Sequence, residues 1–158
     1  MTDPKTGLFQ TEAMRVKRYS RQPRGCAHAY MAHYLYSFAP EIAKEQWELF
    51  KAHMLETRAG LTGFREYLPT YSGKWTPDSG PIVGGIGVAA TGLGLKAART
   101  VKDRDTHVVL RRSVDRMLFL CQMAKRVPGL KAFTAIGTDV LASAIYSNAY
   151  WGTDRSNS

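Results

Sequence analysis

The segment from Gly60 to Lys102 constrains the fold of this chain more than any other part of the sequence. It begins with a polar loop rich in aromatic residues, Gly60–Gly80, and continues as an apolar run rich in glycine and alanine, Pro81–Thr100. Each glycine disfavours a helix interior by roughly 1 kcal/mol relative to alanine, so this composition requires a compensating contact. Side chains this small allow another backbone to approach closely. The sequence therefore predicts a tightly packed helix from Pro81 to about Lys102 that holds a functional loop in front of it.

Size and composition indicate a single globular domain. The chain has 158 residues, of which 44% are hydrophobic and 11% aromatic, and a chain of this length can bury one hydrophobic core. We expect the domain to span residues 1–151, with an irregular N-terminal segment at 1–24 and a frayed tail at 152–158. The formal net charge is +9, but the basic residues are scattered and no known nucleic-acid-binding module accompanies them. Nucleic acid is therefore not an expected partner.

The cysteines and histidines form no metal-binding motif. Cys26 and Cys121 lie in apolar helical patterns, which is typical of buried free thiols, and the histidines include no pair at ligand spacing. Neither a metal nor a cofactor is expected. The N-terminus lacks the apolar stretch of a signal peptide, and the uncharged run Ser79–Leu95 is short and rich in glycine for a membrane span. The expectation is a cytoplasmic protein.

Apolar residues at helical spacing predict a chain made of helices. The predicted helices are Gly25–Phe38, Pro40–Thr57, Pro81–Lys102, Thr106–Val127 and Gly137–Trp151. The first two are separated by a very short gap, which favours an antiparallel αα-hairpin. No stretch alternates with the period of a β-strand over any length. The expected fold class is therefore all-α, built from antiparallel helical hairpins.

Several short motifs resemble a known family. In chain order they are TGL (Thr6–Leu8), PRGCA (Pro23–Ala27), FAPE (Phe38–Glu41), REY-P (Arg65–Pro69) and DSGP (Asp78–Pro81), followed by a G-I-G-x-A-A-T-G run. Together they resemble bacterial proteins with a six-hairpin (α/α)6 toroid domain. The linalool dehydratase/isomerase-like domain proteins are the nearest named group, and six-hairpin glycosidases are more distant. The resemblance implies a partial α/α toroid of about five helices. It further implies a C-terminal part of a toroid, because a complete toroid holds more hairpins.

Candidate catalytic residues lie in the loop Gly60–Gly80. Asp78 stands just before the predicted start of a helix, where it would serve either as a helix cap or as a general acid or base. Glu66 is the partner carboxylate, and it would either pair with Arg65 or another local cation, or share the chemistry. Acid–base catalysis at a glycosidic bond or an alcohol needs two groups with different pKa values.

The candidate substrate-binding residues combine aromatic rings and cations. Rings in a loop can stack on a sugar or an apolar ligand, or else pack onto the domain itself. The resemblance implies that the REY-P and DSGP segments border the site. The candidates are Arg65, Tyr67, Tyr71 and Trp75 in the loop, with Arg24 and His28 at the start of the first helix.

Three functions stay open on the sequence. The first is part or a remnant of an α/α-toroid catalytic domain, of lyase, isomerase or hydrolase type, acting on a carbohydrate or a small alcohol. The second is a non-catalytic helical module that self-associates or pairs with another chain, because missing hairpins would leave apolar faces uncovered. The third is an NADP-binding Rossmann-like unit, in which Gly85–Ala90 fits G-x-G-x-x-A and Thr106–Arg112 forms the second strand.

Overall fold

The computed structural model of the chain describes residues 2–10, 23–70, 79, 82–83 and 85–124. These ranges contain four helices, α1 Gly25–Leu35, α2 Pro40–Met54, α3 Val88–Thr100 and α4 Arg104–Ala124. They also contain four short strands, β1 Leu55–Arg58, β2 Leu61–Phe64, β3 Ile82–Val83 and β4 Ile86–Gly87. The strands form two antiparallel pairs, β1 with β2 and β3 with β4. The predicted all-α toroid is therefore wrong, and the described part of the chain is a mixed α/β structure.

A tight hairpin turn explains why the first strand pair escaped the sequence analysis. Ala59 and Gly60 connect β1 to β2, and both have positive φ angles, 48° and 77°. Positive φ at both central residues is the geometry of a two-residue type I′ turn. The four-residue strands that it joins are too short to show an alternating pattern. The segment from Gly60 was expected to be an irregular loop. Instead, its first residues complete the turn and form the second strand of a β-hairpin.

The first residues of α1 and α2 are the ones that the sequence predicted for the helical hairpin. Helix α1 begins at Gly25, and α2 begins at Pro40, where the missing proline N–H costs nothing. Both helices end a turn early, α2 because Leu55 begins β1. On the inner face of α2, the Phe50 ring stacks on that of Phe64 with 4.1 Å between centroids. This aromatic contact joins the helical hairpin to β2.

Helix α3 begins later than predicted. Residues 82–83 and 86–87 pair as strands, so the helix starts at Val88 rather than Pro81. Thr106–Arg112 lies inside α4 and not in a strand. The Rossmann-like alternative therefore lacks its second strand.

The glycine-rich run was expected to pack against another backbone, and its tightest contact is instead with an aromatic ring. A Cβ atom on Gly94 of α3 would lie 2.5 Å from the Phe64 ring, closer than carbon atoms pack. At the start of α1, a Cβ on Gly25 would lie 2.0 Å from the backbone oxygen of Arg65. Glycine thus allows α3 to settle onto β2 and α1 onto the segment that follows β2.

The junction of α3 and α4 is closed by backbone hydrogen bonds. The Asp103 N–H donates to the Ala98 carbonyl, and the Lys102 N–H donates to the Arg99 carbonyl. This is a Schellman motif, and Lys102 occupies its left-handed position with φ 65°. The motif turns the chain directly into α4.

The Asp103 carboxylate connects α2 to the start of α4. It accepts hydrogen bonds from the backbone N–H and hydroxyl of Thr106, which cap α4. It also accepts bonds from the Trp47 indole and the Lys51 ammonium group on α2. Partial burial alone would raise the pKa of Asp103, but these bonds outweigh it and hold the pKa well below its usual range.

Some sequence predictions concern residues outside the described ranges. Four predictions concern residues that the structure does not describe, wholly or in part. They are the helix Gly137–Trp151, the tail 152–158, residues 125–127 of the fourth predicted helix and much of the 1–24 segment. Among the helices that are described, none has the length and apolar character needed to cross a membrane.

Candidate functional site

Glu66 stands at the centre of a buried cluster with Arg24 and Cys26. The Glu66 side chain is completely buried, and its Oε1 lies 3.0 Å from Nη2 and 3.1 Å from Nε of Arg24. The Cys26 thiol donates to the same oxygen at 3.1 Å, and the Cys26 backbone N–H donates to Oε2 at 3.2 Å. Both carboxylate oxygens are therefore engaged inside the fold.

This cluster forms because the first turn of α1 needs hydrogen-bond acceptors. The N-cap residue, Arg24, provides no side-chain cap. Instead, the Gly25 N–H donates to the Glu66 carbonyl at 2.9 Å, and the next N–H, of Cys26, donates to the Glu66 carboxylate. The negative charge also faces the positive end of the helix dipole. Glu66 thus caps a helix that lies far from it in sequence.

Burial and partners act in opposite directions on the Glu66 carboxyl. Burial raises the pKa of Glu66, while the hydrogen bonds from Cys26 and the charge of Arg24 lower it, and the pKa remains raised overall. A carboxyl with a raised pKa holds its proton closer to neutral pH, as a general acid must. To act on a substrate, however, Glu66 would have to leave both partners.

The structure brings two of the other predicted site residues to Glu66. Arg24 is its ion-pair partner, and the Arg24 guanidinium carbon lies 5.8 Å from the centre of the Tyr67 ring. Residues 24 and 67 also form an antiparallel bridge. The sequence analysis foresaw Cys26 as a buried free thiol, which is confirmed, but it missed the contact of Cys26 with Glu66. No local signal could reveal that contact, because it spans some forty residues of chain.

Arg65 points away from this cluster. Its Nη1 lies 3.0 Å and 2.9 Å from the two carboxylate oxygens of Glu56 on β1, and its Nε donates to the Tyr67 carbonyl. The side chain therefore ties the β1–β2 hairpin to the segment after it. The sequence analysis offered Arg65 as a local partner for Glu66, and the structure pairs each with a different residue.

His28 lies in the interior rather than at the edge of a site. It is 2% exposed, its Nε2 lies 2.8 Å from the Phe9 carbonyl oxygen, and its ring stacks on Phe50. A carbonyl oxygen can only accept, so the Nε2 atom carries the proton. Burial lowers the pKa of His28 to about 4, although the bond to Phe9 acts in the opposite direction.

The remaining candidates, Asp78, Tyr71 and Trp75, lie outside the described residues. Their assignment to catalysis and substrate binding stays a prediction. Ser79, which follows Asp78 in the DSGP motif, is described and is fully buried.

A cavity of about 470 Å³ opens where the N-terminal turn meets the end of α2 and the segment after Tyr67. We call it the N-terminal cavity. It is lined by Asp3, Lys5, Thr6, Ala52, His53, Leu68, Pro69 and Thr70. Three of these residues belong to the loop predicted to border a site. The turn signals around Asp3 and Thr6 were visible in the sequence, but nothing there indicated that the turn packs against α2.

The polar groups of the N-terminal cavity differ in how far the fold engages them. Asp3 Oδ2 accepts hydrogen bonds from the backbone N–H and the hydroxyl of Thr6. In the part of the chain that the structure describes, the side chains of Lys5, His53 and Thr70 make no hydrogen bond or ion pair. The cavity therefore presents three polar groups to solvent or to a ligand.

Comparison with protein-family models, curated proteins and solved structures gives no match. The resemblance to toroid proteins therefore stays a prediction. The described residues also contain no group of three or more histidine, cysteine or acidic side chains placed to hold a metal ion.

Proposed function

We propose that this chain binds a carbohydrate or a small alcohol in the N-terminal cavity. The observation that carries the proposal is the convergence, on a cavity with an apolar wall, of polar groups that have no partner among the described residues. Its volume falls within the range of roughly 300–1,000 Å³ that is common for small-molecule sites. Leu68 and Pro69 offer an apolar surface for the C–H face of a ring. His53 and Thr70 offer hydrogen bonds to hydroxyl groups.

Acid–base chemistry is the second part of the proposal. Asp3 and His53 line the same cavity, so a bound hydroxyl group can approach a carboxylate and an imidazole together, the groups most used for proton transfer. Glu66, with its raised pKa, is the other candidate acid, but it is buried in an ion pair with Arg24. A reaction of lyase, isomerase or hydrolase type would follow from either arrangement.

Filling the cavity tests the binding proposal. Ala52 lines the cavity from α2, and Glu45 is exposed two turns earlier on the same helix. We expect Ala52→Leu to weaken binding of a panel of monosaccharides and small alcohols at least about tenfold in calorimetric titration. Glu45→Leu should leave the affinity unchanged. If no member of the panel binds the unmodified chain, or if both variants bind equally well, the proposal is wrong.

A second candidate function is self-association, and an exposed apolar row favours it. Tyr30, Tyr34, Phe38 and Ile42 run from α1 across the turn into α2 and are 46–74% exposed. Glu41 and Lys44 flank the row with opposite charges, so a two-fold pairing with a second copy can set each against its opposite. A concentration-dependent dimer in sedimentation that is lost in Phe38→Ser would support this function. A monomer at all concentrations would remove it.

A further inference from the structure

We infer that the ligand of the N-terminal cavity carries a carboxylate, so that it is a sugar acid or a hydroxy acid rather than a neutral sugar or alcohol. The inference rests on the proposed function, because it names the ligand class for the same cavity. It follows from an accounting of the donors and acceptors that line the cavity.

Donors outnumber acceptors in this cavity. The Lys5 ammonium group has three N–H donors and no acceptor, and both the imidazole of His53 and the hydroxyl of Thr70 can donate. Within the described ranges, none of these three groups is used by the fold. A ligand that satisfies them must be rich in acceptors.

Fewer acceptors than donors line the cavity, and the fold already uses part of them. Asp3 is the one carboxylate among the lining residues, and its Oδ2 already accepts two bonds from Thr6, at 2.9 Å and 2.6 Å. The Thr6 hydroxyl donates to Asp3 and accepts a bond from the Leu8 N–H at 3.4 Å. The N-terminal turn therefore uses one of the two Asp3 carboxylate oxygens, and the donors of Lys5, His53 and Thr70 outnumber the acceptor positions left on the other.

A carboxylate matches this arrangement better than a neutral hydroxyl group. It offers two oxygens with about four acceptor positions and no donor, and hydrogen bonds in which both partners are charged are roughly twice as strong as neutral ones. Lys5 would bind it as a point charge, with His53 and Thr70 completing the set. The apolar wall of Leu68 and Pro69 would receive the carbon chain or ring.

Calorimetric titration of the full chain with gluconate, glucose and glucose 6-phosphate tests the inference. We expect gluconate to bind at least about tenfold more tightly than glucose. Lys5→Gln should remove most of that difference, because the affinity for gluconate falls more than the affinity for glucose. Lys44→Gln, which removes an exposed lysine of α2 outside the cavity, should change neither affinity.

The outcomes separate this inference from the proposed function. If glucose binds and gluconate binds no better, the cavity is a sugar site without carboxylate recognition, and the inference fails alone. A preference for glucose 6-phosphate over gluconate overturns the choice of carboxylate. If none of the three binds, the proposed function fails together with the inference. If Lys5→Gln and Lys44→Gln behave alike, the assignment of Lys5 is wrong.

Discussion

At some positions of this chain, the backbone geometry limits which residue fits as strongly as the side-chain chemistry does. Gly25 begins α1, and a Cβ there would lie 2.0 Å from the backbone oxygen of Arg65. In an ordinary helix interior, replacing glycine by alanine adds roughly 1 kcal/mol of stability. Here we expect Gly25→Ala to lower the free energy of unfolding by about 1–3 kcal/mol, the usual cost of overpacking. Urea denaturation measures the sign, and a gain in stability would refute the close contact.

Lys102 provides the opposite case. Its φ of 65° places it in the left-handed region, which costs a residue with a Cβ roughly 1–2 kcal/mol. Lys102→Gly should therefore raise the free energy of unfolding by about 1 kcal/mol. The matched control is Lys44→Gly in the interior of α2, which should lower it by about the same amount. Thermal melts that move in the same direction for both variants would contradict the Schellman geometry.

Among the elements, α1 is capped by Glu66, a buried residue that lies about forty positions further along the chain. Glu66→Gln removes the carboxylate charge beside the buried Arg24, and breaking a buried pair in this way typically costs about 3–5 kcal/mol. The double variant Arg24→Gln with Glu66→Gln should therefore lose less stability than the sum of the single losses. The exposed pair Glu41 and Lys44 serves as the control cycle and should show only weak coupling. Equal coupling in both cycles would mean that Glu66 has no special structural role.

The same elements show what sequence reasoning can reach. Gly25 and Pro40 mark helix starts by local rules, and both starts were predicted correctly. The strands were missed because two- and four-residue pairs exist through their partners and not through a pattern of their own. The partners of Glu66 were missed for a related reason, since Cys26 lies forty positions away. The N-terminal cavity depends on a turn that packs against the end of α2. No residue of the turn indicates this packing in the sequence.

For the whole molecule, acid sensitivity follows from the burial of His28. Its pKa falls from 6.5 to about 4 on folding, so between these values the unfolded chain binds a proton that the folded chain does not. The free energy of unfolding should therefore decrease as the pH falls from about 6.5 towards 4, by at most about 3 kcal/mol from this group. The raised pKa of Glu66 acts in the opposite sense, because the folded chain takes up that proton first.

A substitution isolates the contribution of His28. His28→Gln keeps a donor for the Phe9 carbonyl but cannot titrate, so the stability of this variant should vary less between pH 7 and pH 4.5 than that of the parent chain. Urea unfolding at the two pH values gives the comparison. An unchanged slope in His28→Gln would show that other groups cause the acid sensitivity.

The most direct test of the ligand site is an amide chemical-shift map of the full chain, recorded while glucose and then gluconate is added. A ligand in the N-terminal cavity predicts saturable shifts at Thr6, His53 and Thr70, with little change at the buried Cys26 and Glu66. Saturable shifts centred on Cys26 and Glu66 instead, or no saturable shift with either compound, would contradict it.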